Sequence, residues 1–108
     1  MATSLPQPIA SYYKAEEAGD FDTLARCFAV DGTVRDEGET RRGHAAISAW
    51  MADAKHKYRH RTELLGADEV DGVHVVSVRV SGQFPNSPVT LKQRFRVADG
   101  AIQSLEIG

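Results

Sequence analysis

Val89-Thr90-Leu91-Lys92-Gln93-Arg94-Phe95-Arg96-Val97 alternates residue by residue, with Leu91, Gln93, Phe95 and Val97 on one parity and Lys92, Arg94 and Arg96 on the other. Successive side chains of a strand point to opposite faces, so this segment reads as a strand with one face on a core and one in water. Upstream, residues 73–84 carry Val76, Val78 and Val80 on one parity, and residues 59–68 form another strand-like run. Downstream, a last strand ends at Ile107. The joints are Asp71-Gly72, Asp99-Gly100 and a loop over residues 85–88. An Asp-Gly pair between two such runs is a hairpin turn. The C-terminal half is therefore expected to be a meander of long antiparallel strands.

The N-terminal half has a different period. Pro6 and Pro8 mark a short extended lead-in, and Ile9, Tyr12, Tyr13 and Ala15 then fall at helical spacing. Gly19 closes that helix and Asp20 is the expected N-cap of the next, whose apolar stripe is Phe21, Leu24, Ala25 and Phe28. Asp31-Gly32 reads as a turn, residues 33–36 as a short strand, Glu37-Gly38 as a tight turn and residues 39–42 as the return strand. Gly43 opens a third helix with Ile47, Trp50, Met51, Ala54 and Tyr58 on its apolar face and Asp53, Lys55 and Lys57 opposite. Helices first and long strands after argue an α+β fold, with helices packed on one face of a curved, mostly antiparallel sheet.

The size permits one domain, residues 1–108, with one modest core. A hydrophobic content of 42% beside 26% charged residues is ordinary globular composition and argues against disorder. Thirteen basic against 15 acidic residues give a net charge of −2, so neither nucleic acid nor an anionic membrane is expected as a partner. Lys92, Arg94 and Arg96, with Arg79 nearby, form a basic row without interleaved aromatics; it reads as an outer sheet face paired with Glu63, Glu69 or Glu106. The single cysteine, Cys27, excludes an internal disulfide and reads as a small buried hydrophobe. No signal-like or membrane-spanning run is present, which makes the cytoplasm the expected location. The four histidines show no metal-ligand spacing, so no metal and no cofactor are expected.

Among the residues that could carry chemistry, Asp36 stands out. It shares parity with Val34, so it faces the apolar side, where a carboxylate is desolvated and suits a general base. A polar strand-end residue bonded into the Glu37-Gly38 turn is the other reading of Asp36.

Glu17-Ala18-Gly19-Asp20-Phe21-Asp22 with Leu24 and Cys27-Phe28, then Asp31-Gly32-Thr33-Val34, then Arg42-Gly43-His44-Ala45-Ala46-Ile47, resembles the nuclear-transport-factor-2-like superfamily, SnoaL-like branch. The resemblance covers nearly the whole chain. It implies a cone: three N-terminal helices against a strongly bent sheet, a pocket between them, and a homodimer through the outer sheet face. Within the superfamily the local likeness is to ketosteroid isomerase. That likeness implies that Tyr12, eight residues before Asp20, donates to an enolate oxygen and that Asp36 moves the proton. The isomerase's second donor, a protonated acid on a late strand, falls near Gln93, a neutral amide. The pocket lining expected alongside is Tyr13, Trp50, Tyr58, His60, Phe84, Gln93 and Phe95, with plain core packing as the other reading of its aromatic residues and of Tyr12. Two functions stay open: an isomerase- or cyclase-like enzyme that transfers a proton on a small, apolar, oxygen-bearing molecule, and a non-catalytic ligand-binding or structural dimer. Fold alone does not choose between them.

Overall fold

The computed structural model describes residues 5–108. The first helix, α1 (Gln7–Ala18), begins two residues before Ile9, with Pro8 in its first turn. A proline is tolerated there because the first-turn amides have no helical partner to lose. Gly19 ends α1 in the left-handed conformation, and its N–H returns to the carbonyls of Ala15 and Glu16. Asp20 caps α2 (Phe21–Arg26): its carboxylate accepts from the Thr23 N–H at 3.2 Å and from the Thr23 hydroxyl at 2.7 Å.

Phe28 does not continue α2. It opens β1 (Phe28–Asp36), so Asp31-Gly32 lies inside a strand and not in a turn between elements. The reason is a partner distant in sequence. Phe28 pairs in parallel with Ile102, and after a register shift Thr33 pairs with Ser104. Residues 29–32 are therefore an irregular insert in the ladder. The chain turns at Glu37-Gly38 into β2 (Glu39–Arg42), enters α3 (His44–Tyr58), then runs through β3 (Arg61–Val70), β4 (Val73–Ser81), β5 (Val89–Ala98) and β6 (Ala101–Ile107). The three two-residue turns Glu37-Gly38, Asp71-Gly72 and Asp99-Gly100 all take positive φ at both positions. That is the twist-matched hairpin geometry which an acidic residue followed by Gly favours.

The sheet order is β2-β1-β6-β5-β4-β3, with every neighbouring pair antiparallel except β1 and β6. The sheet does not close; β2 and β3 are its edges. Register shifts also interrupt β3 between Leu64 and Gly66 and the β5–β6 ladder between Arg96 and Val97. The first of these overturns one expected pairing. Glu69 comes to lie opposite His74, which lies opposite the fully buried Phe95, so Glu69 is on the helix side of the sheet and not in the outer basic row. Glu63 does face Arg79, at 3.7 Å, and Glu106 sits opposite Arg94.

The helices cover one face. Ile9, Tyr12, Leu24, Ile47 and Met51 meet Val34, Val76, Val78, Phe95, Ile102 and Leu105 in one core. At its centre the Tyr12 ring stands edge-on to Tyr13, Phe28 and Phe95, with centroids 5.1–5.9 Å apart. Cys27 is half-buried at the end of α2 and donates its thiol to the Thr23 carbonyl. Among the described residues no helix is long and apolar enough to cross a membrane.

Candidate functional site

Between α1, α3 and the end of the sheet lies a cavity of about 340 Å³, the lower part of the range found for small-molecule pockets. Its helical wall is Tyr12 and Glu16 from α1 and Trp50, Met51, Ala54 and Tyr58 from α3. Its floor is Thr62, Val80, Leu91, Gln93 and Ile107 from the sheet, and Asp36, Glu37, His60, Phe84 and Pro85 rim it. Gly82 fixes one corner. A Cβ there would stand 2.6 Å from the Tyr58 carbonyl oxygen and 2.8 Å from His60 Cα, so only glycine lets the strand end approach α3 this closely.

Tyr12 is fully buried, and its hydroxyl oxygen has no hydrogen-bond partner among the described residues. Burial, with the nearby Glu16 carboxylate adding to it, pushes this phenol well above its ordinary pKa, so it stays a neutral donor. Asp36 ends β1 with Oδ2 accepting from the Trp50 indole N–H at 3.1 Å. Burial raises its pKa above the usual carboxylate value, while that indole N–H pulls the other way by favouring the charged form. Gln93 is buried, and its amide oxygen accepts from the Tyr13 hydroxyl at 2.5 Å. The amide nitrogen of Gln93 is left as its remaining hydrogen-bonding group.

A second polar group lies one helical turn from Tyr12. The Glu16 carboxylate is 4% exposed. Its Oε2 accepts from the Thr62 hydroxyl at 2.6 Å and stands 3.3 Å from Lys55 Nζ and 3.6 Å from His60 Nε2. Lys55 thus leaves the solvated face expected for it; its long stem carries the ammonium inward, where it also donates to the His60 carbonyl at 2.7 Å. Burial, and then the Lys55 charge, lower the His60 pKa, so its imidazole is neutral at pH 7. Glu16 carries a signal in the sequence: it follows Ile9 by seven positions and Tyr12 by four, on the same helix face. Polarity alone hid it.

Of the residues singled out from sequence, Tyr12, Asp36, Trp50, Tyr58, His60, Phe84 and Gln93 line this one cavity. Tyr13 and Phe95 do not. Tyr13 stands behind Gln93, and Phe95, at 0% exposure, belongs to the core beneath. Among the described residues no three His, Cys, Asp or Glu side chains gather in a metal-binding group.

The SnoaL-like domain family matches residues 9–105. Among solved structures, a candidate polyketide cyclase from Sinorhizobium meliloti is 38% identical, with a TM-score of 0.92 over 96% of this chain and 95% of that one. A protein with a ketosteroid isomerase-like fold from Catenulispora acidiphila, solved with trimethylamine, is 20% identical, with a TM-score of 0.82 over 97% and 86%. A Mycobacterium tuberculosis protein solved with estradiol-17beta-hemisuccinate is 14% identical, with a TM-score of 0.77 over 93% and 88%. No functionally curated protein matches the chain.

Proposed function

The chain belongs to the SnoaL-like domain family, and from that premise we propose that its cavity binds a small, largely apolar molecule bearing a carbonyl oxygen and that Asp36 moves a proton on it. The observation that carries this reading is Tyr12: its hydroxyl is buried without a partner among the described residues, and the residue lines the same cavity as a carboxylate of raised pKa. Leaving a hydroxyl unpaired in a dry site costs free energy, which a ligand oxygen accepting its hydrogen bond would recover.

The chemistry follows from the two groups. Asp36, ionised, takes a proton from the carbon beside the carbonyl, and the electron pair moves onto the oxygen. The Tyr12 O–H donates to that developing oxyanion. Asp36 then returns the proton to another carbon of the same conjugated system, so the double bond shifts with no oxidant or cofactor. One such donor in a water-poor site is typically worth about 3 kcal/mol, and a positioned base about 10²–10⁴-fold.

A screen of β,γ-unsaturated ketones tests this. Isomerisation is expected for at least one, falling at least about 100-fold in Asp36→Asn and about 100-fold in Tyr12→Phe, with folding intact. Activity that survives unchanged in Asp36→Asn would overturn the assignment. The second reading, a binding protein without chemistry, is favoured by Gln93: a neutral amide tied to Tyr13 stands where the isomerase pattern has an acid. Saturable ketone binding with no turnover would select it.

The same reading includes a homodimer formed through the outer sheet face and a cytoplasmic location, where the lone Cys27 thiol stays reduced.

A further inference from the structure

Every hydrogen bond and ion pair of Glu16 converges on one oxygen. Thr62, Lys55 and His60 all approach Oε2, and Oε1 takes no hydrogen bond among the described residues. A carboxylate has about four lone-pair sites, two on each oxygen. The Glu16 carboxylate is nevertheless buried, and it lines the same cavity as Tyr12. Lys55 supports its negative charge but leaves the acceptor capacity of Oε1 unmatched. Among the described residues α1 therefore carries two complementary groups one turn apart, both on residues that line the cavity: a buried hydroxyl with no acceptor, on Tyr12, and a carboxylate oxygen with no donor, on Glu16. The Tyr12 proton does not serve Glu16, since the Tyr12 hydroxyl makes no hydrogen bond at all among the described residues. Beside them the lining is apolar at Met51, Ala54, Val80 and Leu91 and polar at Thr62, His60 and Gln93.

We infer that Glu16 is a specificity-determining residue which accepts a hydrogen bond from a hydroxyl group of the ligand, and that the ligand class is a hydroxylated cyclic ketone held at two points. This rests on the reading that a ketone oxygen meets Tyr12. The carbonyl lies at Tyr12 beside Asp36, the ring fills the apolar space, and the hydroxyl donates to Glu16 Oε1. Hydrogen bonds to a buried carboxylate are charge-assisted and shorter than neutral ones. The discrimination is also two-sided, because a ketone without a hydroxyl takes the place of water at Oε1 and leaves that oxygen unmatched.

Calorimetric titration of the wild-type protein with α-tetralone, its ring-hydroxylated positional isomers and their methyl ethers tests the inference. At least one hydroxylated isomer is expected to bind about tenfold more tightly than α-tetralone. Its methyl ether, which cannot donate, is expected to lose that gain. In Glu16→Gln the ratio between the hydroxylated and parent ketones should fall below about threefold. If α-tetralone binds but no hydroxylated isomer gains, or the gain survives in the methyl ether or in Glu16→Gln, the role of Glu16 is overturned while the ketone site stands. If no ketone of any kind binds, the site and the inference both fall. The methyl-ether arm uses only the wild-type chain, so the outcome does not depend on the variant folding.

Discussion

Tyr12 holds a fully buried hydroxyl that no group among the described residues satisfies. A residue kept only for packing would be better as phenylalanine. Tyr12→Phe is therefore expected to leave stability unchanged or raise it by about 1 kcal/mol, as read by urea denaturation of the ligand-free protein, while weakening ketone binding. A clear loss of stability would show that the hydroxyl has a structural partner. Asp36 gives a second expectation. Its pKa is raised in the fold, so the folded state favours the protonated form. The stabilising contribution is complete below the ordinary value of 3.8 and is lost as pH rises through the raised one. The stability of Asp36→Asn relative to wild type should thus increase between pH 4 and pH 7. An unchanged difference across that window would place Asp36 in bulk water. Both residues were legible in the sequence, Asp36 by its parity with Val34 and Tyr12 by its helix face. Glu16 shared that helix face and was hidden only by its polarity; Lys55 was not legible, because its inward turn depends on Glu16, distant in sequence.

At the scale of elements, legibility followed the range of the deciding interaction. The turns at Glu37-Gly38, Asp71-Gly72 and Asp99-Gly100 are local chemistry, and each falls where the dipeptide stands. The cap of α2 is also local, three residues long. Strand limits behave differently. β1 starts at Phe28 because Ile102 is there to pair with it, and Glu69 lies on the helix side because the β3 ladder shifts near Leu65. No neighbouring residue announces either event. The structure also assigns a purpose to Gly82, which falls inside the strand-like run 73–84 in the sequence and just past the end of β4 in the fold. Its Cβ would collide with backbone at both Tyr58 and His60, atoms that cannot swing aside as a side chain does. Gly82→Ala is expected to cost about 1–3 kcal/mol and to disturb ligand affinity as well, since Tyr58 and His60 rim the cavity. Equal melting temperatures for wild type and Gly82→Ala would show that this corner can relax.

At the scale of the whole molecule, the helices cover one face of an open six-stranded sheet and leave the other bare. The strand register states what that bare face carries. Asp68 lies opposite Val75, Val75 opposite Arg94, and Val70 opposite Val73, so Val70, Val73 and Val75 form an apolar strip beside the basic row. Val70 is 54% exposed. Glu106 sits between the strands that carry Arg35 and Arg94 and opposite both. A surface holding an apolar strip and both signs of charge can complement itself about a two-fold axis, as a symmetric pair requires. Sedimentation at micromolar concentration is therefore expected to give twice the chain mass of 11.8 kDa. Val75→Lys sets a second cation against Arg94 and interrupts the strip without touching the core, because the core valines of β4 are Val76 and Val78. It should bring the mass back to that of one chain while the far-ultraviolet dichroism stays the same. A wild-type protein that sediments as a single chain would leave the strip as ordinary exposed surface and end the case for pairing through this face.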